Sequence, residues 1–446
     1  MDSRIGEVAP QSPGSGLTAY SAPSRLKITD MRACTVAANY DYPIIRIDTD
    51  QGVYGLGEVR DAGVKGIALI LKPHLLGRDP LKIDSILRRI RMFTGQGRMG
   101  GGYSAVDMAL HDIAGKVYGV PAWRLLGDKL RSRIRMYCDT TAHKDPKIYA
   151  ERMLKRKQLG FTFFKMDLYT GMVKNRPGAI DGSRTATEKG LGYLCEYIAA
   201  VRDSVGWDAP LAADHFGRLS VNDAIRYARA FEPYGLAWAE DFVSHKDWRG
   251  FKTISEATTT PTLTGEDAFG LEEGFKLLLD NDAVDIIQPD LATAGGLRET
   301  KKIADYADSC GIPTALHFAG SPVGCMASVH LASTLANFIA MENHALEMPW
   351  WDDLVKGVPK PIIQDGHIPV PDTPGLGVEL DEDVVKEHLR YPGYFESTPM
   401  FDEFIVSGFR RVGPWPHYNE DGEYVNAISY EVDLEDYLAW LDEGTH

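Results

Sequence analysis

Short apolar runs that end in an acidic or basic residue recur along the middle of the chain, and their nearly constant interval limits the fold more than any other feature. The residues at or near the ends of these runs are Lys165, Asp167, Asp214, Glu240, Glu266, Asp290, His317 and Glu342. From Asp214 onward the steps are 26, 26, 24, 27 and 25 residues. That length holds one strand, one loop and one helix, as in parallel βαβ units. About eight units close into a barrel with its reactive groups at the C-terminal strand ends, so we expect these polar groups at one mouth.

The parts of the chain outside this repeat are organised differently. Residues 1–24 predict a flexible tail, and the runs after it flank a TDQG turn that indicates a β-hairpin. Apolar residues at helical spacing follow, so residues 25–130 are predicted to be an α+β region. The barrel is expected at residues 131–355, and residues 356–446 are a C-terminal segment with a helix and an extension.

Composition argues against several classes of partner. A formal net charge of -15 without an offsetting basic block disfavours nucleic acid and anionic membranes. Five cysteines without a CxxC pair fit a reducing, cytoplasmic location. The chain lacks a signal peptide pattern, and no apolar run approaches a membrane span.

Gly95, Gly97 and Gly100 match the GxGxxG motif of dinucleotide-binding sites. A helical stretch precedes them where such a site needs a strand, so a loop is favoured.

Three carboxylates at consecutive strand ends predict a metal site. Asp214, Glu240 and Glu266 would point at a common position above the barrel, where they repel one another unless a cation lies between them. Ligands that offer only oxygen favour Mg²⁺ over zinc or copper. The sequence therefore predicts Mg²⁺ as the cofactor.

The next strand ends carry groups suited to proton transfer. Asp290 and His317 would be neighbours, and a carboxylate beside an imidazole orients the ring and makes it a good general base. Lys165 could donate to a substrate oxygen, or act as a base if its pKa were depressed. Glu342 could share a proton with a substrate carboxylate or be a structural acid. A divalent ion, a base and a lysine together suit removal of a proton next to a carboxylate.

With these residues in place, the chain resembles the enolase superfamily in its mandelate racemase subgroup, from about Arg25 to about His388. The framework phrases SAVDMALHDIAGK and PGLGVEL strengthen the resemblance. It implies a modified TIM barrel of the (β/α)₇β type, an α/β fold. It also implies an α+β capping domain built from residues 25–130 and the C-terminal segment, with loops near Asn39–Pro43 and Arg60–Val64 covering the substrate.

Two departures from that family bear on the reaction. Racemases of the subgroup carry Lys-x-Lys at the second strand, whereas this chain has Lys165 and then Asp167, so two-base racemisation has less support. Acid-sugar dehydratases of the subgroup often have Asp-x-His at the third strand. Here His215 follows Asp214 directly and Phe216 takes the usual place, which in an ideal strand turns His215 away from the mouth. Either the strand end is bulged, or His317 acts as base and then acid, or Asp167 or Lys165 takes part.

The resemblance implies a Mg²⁺-dependent lyase that dehydrates a sugar acid to its 2-keto-3-deoxy product and acts as a homo-oligomer. The predicted substrate contacts are Tyr40, Arg60, Arg98, Tyr103 and Trp350. The nearest alternative is an epimerase, racemase or cycloisomerase that uses the same intermediate. A zinc barrel hydrolase lacks support because the first strand ends in RMYCDTT, without paired histidines. A non-catalytic acid-sugar binder would keep the fold and the metal but show no His317-dependent exchange.

Overall fold

A computed structural model describes residues 25–182, 185–216 and 219–402, and two short strands, His417–Tyr418 and Tyr424–Val425. The predicted tail at residues 1–24 and most of the C-terminal extension lie outside the described residues. Across the described part of the chain, no helix is both long enough and apolar enough to cross a lipid bilayer.

The described chain begins with a three-stranded antiparallel sheet. Its strands are β1 (Ile28–Ala37), β2 (Asp41–Thr49) and β3 (Tyr54–Glu58), in the order β1-β2-β3. Three helices follow, namely α1 (Gly66–Leu69), α2 (Ile83–Arg91) and α3 (Gly101–Tyr118). The GxGxxG stretch joins α2 to α3, so a helix precedes it, as the sequence indicates.

Strand β3 lies directly against helix α3 because two glycines permit the contact. A Cβ atom at Gly55 would lie 2.0 Å from the carbonyl oxygen of Ala109, and one at Gly57 would lie 1.9 Å from that of Ala105. No larger residue fits at these distances. The close contact fixes the end of β3, which projects toward the barrel.

Two buried carboxylates on α3 connect the parts of the fold. Asp112 accepts hydrogen bonds from the backbone N–H of Leu56 at 3.0 Å and of Leu376 at 2.9 Å. Asp107 accepts from the backbone N–H of Leu297 at 2.5 Å, near the start of a barrel helix. Both acids belong to the phrase SAVDMALHDIAGK, whose role here is to join the sheet, the barrel and the C-terminal segment.

Eight parallel strands form the closed barrel that the sequence predicts. They are β4 (Arg133–Cys138), β5 (Phe164–Asp167), β6 (Leu211–Asp214), β7 (Ala239–Glu240), β8 (Thr262–Thr264), β9 (Ile286–Ile287), β10 (Thr314–Leu316) and β11 (Phe338–Asn343). Neighbours along the chain pair in order, and β11 pairs with β4 to close the barrel.

The barrel helices surround these strands. They are α4 (Pro146–Gln158), α5 (Glu188–Val205), α6 (Val221–Phe231), α7 (Trp248–Ser255), α8 (Lys276–Asp280), α9 (Leu291–Ala294), α10 (Gly296–Ser309) and α11 (Pro322–Ala332). The predicted (β/α)₇β barrel with a capping domain is therefore confirmed.

After the barrel the chain returns to the N-terminal sheet. The remaining elements are β12 (Val355–Lys356), β13 (His367–Pro369), β14 (Glu379–Leu380) and α12 (Glu382–Glu387). Strand β13 pairs antiparallel with β4 at its N-terminal end. The backbone N–H of Ala37 donates to the carbonyl of His388 at 2.8 Å, and that of Arg390 donates to Thr35 at 2.8 Å. The C-terminal segment thus contacts β1 of the capping domain.

Candidate active site at the barrel mouth

The alternation of side chains along each strand places the polar groups at the mouth. One buried cluster contains a single interior residue within each strand or directly before it: Tyr137, Phe163, Ala212, Trp238, Leu263, Ile286, Ala315 and Ala340. Successive residues of a strand point to opposite faces, so the residue two positions later shares the interior face. The residues that follow five of these by two positions are Lys165, Asp214, Glu240, His317 and Glu342.

Asp290 and His317 form the predicted pair. His317 Nδ1 lies 2.7 Å from Asp290 Oδ2, and both side chains are buried. Arg60 reaches the pair from the end of β3, with Nη1 2.7 Å from Asp290 Oδ2 and 2.9 Å from His317 Nδ1. Burial raises the pKa of Asp290, but Arg60 and His317 outweigh it and leave that pKa below its ordinary value. Asp290 is therefore held as a carboxylate beside the imidazole.

Lys165 forms the centre of a second buried cluster. Its Nζ lies 2.8 Å from Asp214, 3.1 Å from Glu240 and 2.9 Å from Glu342, and the side chain is 1 % exposed. Burial opposes the charge of the ammonium, but the three carboxylates raise the pKa of Lys165 well above its ordinary value. Lys165 is thus a fixed positive charge among acids, with no depressed pKa that would make it a base.

His215 faces the mouth because the third strand ends irregularly. Its φ angle is 63°, in the left-handed region. This turn brings His215 Nε2 to 3.6 Å from Asp167 and 3.7 Å from Asp214. Phe216 is buried instead, with its ring centroid 4.6 Å from that of Phe242. The strand end is thus irregular at His215, and which of His215, His317, Asp167 and Lys165 supplies the acid stays a prediction.

One cavity of about 100 Å³ collects most of the predicted site. Its lining includes Tyr40, Arg60, Arg98, Lys165, Asp214, His215, Glu266, His317 and His344. Two predicted substrate contacts are not among the described residues that line it. Tyr103 packs edge-on against Phe269 at 5.8 Å, and Trp350 stacks on His388 at 3.9 Å. Arg60 does line the cavity, but its principal contacts are Asp290 and His317 rather than open space.

Comparisons with known proteins identify the family. The N-terminal domain of mandelate racemase and muconate lactonizing enzymes matches residues 18–127, and an enolase C-terminal domain-like region matches residues 149–384. The chain belongs to the mandelate racemase and muconate lactonizing enzyme family. It is therefore a member of the enolase superfamily, as its barrel and capping domain indicate.

Three relatives of this family are close enough to inform its chemistry. D-xylonate dehydratase of Haloferax volcanii is 37% identical over 388 residues, covering 84% of this chain and 91% of that protein. The crystal structure of a mandelate racemase/muconate lactonizing enzyme-like protein from Rubrobacter xylanophilus is 32% identical with a TM-score of 0.76, covering 83% of this chain and 99% of that one. The 3,6-anhydro-D-galactonate cycloisomerase of Zobellia galactanivorans is 31% identical with a TM-score of 0.70, covering 82% and 100%.

The predicted metal ligands of this family member divide into two groups. Lys165 brings Asp214 and Glu240 together, whereas Glu266 lies 3.4 Å from Arg98 Nη2, 3.5 Å from Arg60 Nη2 and 3.2 Å from His317 Nε2. All three carboxylates thus already attract cationic groups. Burial, followed by the Asp214 carboxylate, raises the pKa of Glu240 well above its ordinary value. Three carboxylates around one ammonium also leave an excess of negative charge at this side of the mouth. A set of oxygen ligands with that excess fits a divalent cation.

Two other sets of described side chains have ligand atoms within 4.8 Å of one another. They are His317 with Glu342 and His344, and Asp61 with Asp290 and His317. Both sets include the proposed base, whose nitrogen a metal would block. Asp214, Glu240 and Glu266 therefore remain the better predicted ligands, since all three offer oxygen and none of them is the predicted base.

His344 and Asp139 are site residues that the sequence analysis missed. His344 Nε2 lies 3.1 Å from Glu342 Oε1, and its Nδ1 lies 3.4 Å from Asp139 Oδ2. A signal for both was present, because Asp139 follows interior Tyr137 by two residues and His344 follows Glu342 by two. The sequence analysis passed over both residues because it followed the spacing between successive strand ends, which selects the polar residue at the end of each apolar run and not the residues just beyond it.

Proposed function

We propose that this enzyme is a Mg²⁺-dependent hydro-lyase that dehydrates a sugar acid, an aldonate or aldarate, to a 2-keto-3-deoxy acid. The observation that carries the proposal is the Asp290–His317 pair, which faces Lys165 and the carboxylates across one small cavity. The relationship to D-xylonate dehydratase supports it and makes D-xylonate the first substrate to test.

His317 would begin the reaction by removing the proton next to the substrate carboxylate. Its Nδ1–H donates to Asp290, so the Nε2 atom is the one left to accept a proton. Asp290 also stabilises the imidazolium that forms. The electron pair moves into the carboxylate, which gives an enediolate, and its return expels the β-hydroxyl. Lys165 would bind the substrate carboxylate or the enediolate. Burial raises the pKa of Glu342, but Lys165 and His344 outweigh it and hold that pKa well below its ordinary value, so Glu342 would position the Lys165 ammonium rather than donate a proton.

Asp214, Glu240 and Glu266 would hold the Mg²⁺ ion. When bound, it supplies positive charge for the oxygens of the substrate carboxylate as negative charge develops there. The protein adds the Lys165 ammonium to that charge. Both contributions lower the pKa of the α-proton, which a histidine cannot remove unaided.

The test is a screen of aldonates and aldarates, starting with D-xylonate, with Mg²⁺ in D₂O. Deuterium at the α-carbon is read by NMR and loss of water by mass spectrometry, for wild type, His317→Asn and His367→Asn. We expect a product lighter by one water in wild type and in His367→Asn, whose substituted residue lies at the opposite end of β4. His317→Asn should form none, and water loss that survives in this variant would refute the proposed base.

The similarity to a cycloisomerase structure favours one alternative. A cycloisomerase, epimerase or racemase would use the same first step and the same residues. Uptake of deuterium without loss of water would support this alternative and overturn dehydration. A non-catalytic binder would show neither, and calorimetry would then detect Mg²⁺-dependent binding of the acid alone.

We further propose that the enzyme is cytoplasmic and homo-oligomeric. The cysteines Cys34, Cys138, Cys195, Cys310 and Cys325 are all free thiols. This fits a reducing compartment. Symmetric assembly is common for soluble enzymes, and light scattering after size-exclusion chromatography measures it directly.

A further inference from the structure

Closure of the barrel creates a second carboxylate–histidine pair. Strand β11 pairs with β4 so that Asn343 lies opposite Cys138, and the N–H of Asp139 donates to the carbonyl of Asn343 at 3.2 Å. The next residue of each strand end therefore lies at the seam. There His344 Nδ1 lies 3.4 Å from Asp139 Oδ2. This repeats the arrangement of Asp290 behind the Nδ1 atom of the proposed base.

The new pair shares the cavity with His317. The two imidazole centroids are 5.7 Å apart, and the two Nε2 atoms approach different oxygens of Glu342. These distances are 3.1 Å from His344 to Oε1 and 3.9 Å from His317 to Oε2. Two imidazoles at that separation can act on adjacent carbon atoms of one small acid.

His344 is also held from behind by the capping domain. Asn39 Nδ2 donates to the carbonyl of His344 at 2.9 Å, and Tyr42 donates its hydroxyl hydrogen to Asn39 Oδ1 at 2.6 Å. The Tyr40 ring packs edge-on against the imidazole, with centroids 5.9 Å apart. These contacts fix a polar ring at the cavity wall, where the side chain is 8% exposed.

The carboxylates on both sides of the ring favour its charged form. Burial lowers the pKa of His344, but Glu342 and Asp139 outweigh it and raise the pKa to about 9. The imidazole thus carries two N–H groups, and its Nε2 lies beside Glu342 Oε1 at the wall of the cavity. An acid that must protonate a leaving group needs a proton in that position.

Among the other polar groups at the mouth, none is placed as well for this step. The three N–H groups of Lys165 face three carboxylates. His215 is 57% exposed and lies beside Asp214, a proposed metal ligand. Asp167 contacts His215 through Oδ1, and no contact directs it toward His317. His344 alone in the described site pairs a buried imidazole with a position next to the base.

We propose that His344, oriented by Asp139, is the general acid that protonates the departing β-hydroxyl; this proposal rests on the dehydration proposed above. After His317 has taken the α-proton, the enediolate electron pair forms the Cα=Cβ bond as the Cβ–O bond breaks. The hydroxyl takes the Nε2 proton of His344 and leaves as water. The enol then becomes the 2-keto-3-deoxy acid by losing its O–H proton and gaining one at Cβ. His344 regains a proton from solvent and His317 releases its own.

The experiment separates the leaving-group step from proton removal. D-Xylonate, or the acid that the screen identifies, is compared with its 3-deoxy-3-fluoro analogue, since fluoride departs without a proton. We expect His344→Asn to lose water release by roughly 10²–10⁴-fold, to exchange the α-proton with D₂O, and to release fluoride within about tenfold of wild type. Asp139→Asn should show the same pattern with a smaller loss, as a positioning residue.

Each outcome decides between distinct conclusions. Water release that survives in His344→Asn overturns this inference and leaves the dehydratase intact. Equal loss of water and fluoride release in His344→Asn also overturns it, because a misplaced active site would lose both. If His215→Asn shows the selective loss instead, then His215 is the acid. A wild-type enzyme that releases water from no acid overturns the proposed function, and the assignment of His344 with it.

Discussion

Lys165 should be the residue whose charge contributes most to the stability of the barrel mouth, and Lys165→Met tests this. The ammonium lies within 3.1 Å of Asp214, Glu240 and Glu342, and all of these side chains are buried. Methionine fits the same space with a similar length but leaves the three carboxylates without that cation.

The expected cost follows from the burial of these groups. Removing one partner of a buried ion pair destabilises a protein by about 3–5 kcal/mol, because the remaining charge is left uncompensated. At about 2–4 °C per kcal/mol for a domain of this size, the melting temperature should fall by roughly 6–20 °C. Added Mg²⁺ should restore part of the loss, since Asp214 and Glu240 are proposed ligands.

The sign of the pH dependence provides an internal check. Although burial raises the pKa values of Asp214 and Glu342, Lys165 lowers both below their ordinary values. A carboxyl with a depressed pKa contributes stability above its ordinary pKa of about 4, and that contribution is lost as the pH falls through the folded value. The penalty of Lys165→Met should therefore be full at pH 7 and become smaller as the pH falls below about 4.

The measurement is the thermal and urea midpoint followed by circular dichroism, with EDTA and then with MgCl₂. Lys252→Met is the matched control, because Lys252 forms an exposed pair with Glu256 at 3.2 Å. Such pairs contribute at most about 1 kcal/mol. A free energy of unfolding for Lys165→Met within 1 kcal/mol of the control would refute the reasoning.

Three further substitutions test other contacts. Asp290→Asn should lower kcat by roughly 10²–10⁴-fold in the sugar-acid assay, because the amide no longer stabilises the imidazolium. An unchanged kcat would contradict the proposed role of Asp290 as the partner of His317. Tyr137→Phe should cost about 1–3 kcal/mol in urea unfolding, because the buried Gln288 amide loses the nearer of its two acceptors, at 2.7 Å, and keeps only Glu240 at 3.2 Å. Glu58→Ala should cost a similar amount, because the N–H of Gly324, at 2.9 Å, loses its acceptor; a loss below 0.5 kcal/mol in either variant would contradict these assignments.

The barrel could be predicted because its signal is periodic and local. Inward and outward residues alternate along each strand, and each βα unit contains about the same number of residues. The polar residues at the strand ends therefore recur at a nearly fixed interval. The observed strands are shorter than the apolar runs, and Ala239–Glu240 has only two residues. The strand ends still coincide with the ends of the runs at Asp167, Asp214 and Glu240.

The orientation of His215 could not be predicted from that pattern. Alternation assumes a regular strand, and by that rule His215 points away from the mouth and Phe216 toward it. One residue in the left-handed region reverses both directions. Histidine is among the residues that adopt this conformation more readily. The aromatic rings that hold Phe216 belong to the helix and strand end that follow it, at Tyr227, Phe231 and Phe242, and strand alternation does not indicate that packing.

The contacts of Arg60 and His344 were also beyond local patterns. Arg60 reaches Asp290 across 230 positions of sequence, from the capping domain into the barrel. The pairing of His344 with Asp139 depends on the register in which the last strand closes against the first. Side-chain alternation predicts which residues face inward, but it does not specify which strand ends meet.

The position of Lys165 supports the proposed elimination over racemisation. A two-base reaction needs a second group that can accept a proton, and Asp167 stands where the family's racemases carry that lysine. Lys165 itself is committed to three carboxylates, so it acts as a positive charge rather than a base. Elimination needs one base and one acid on adjacent carbons. On the proposed mechanism, His317 and His344, with ring centroids 5.7 Å apart, would provide that combination.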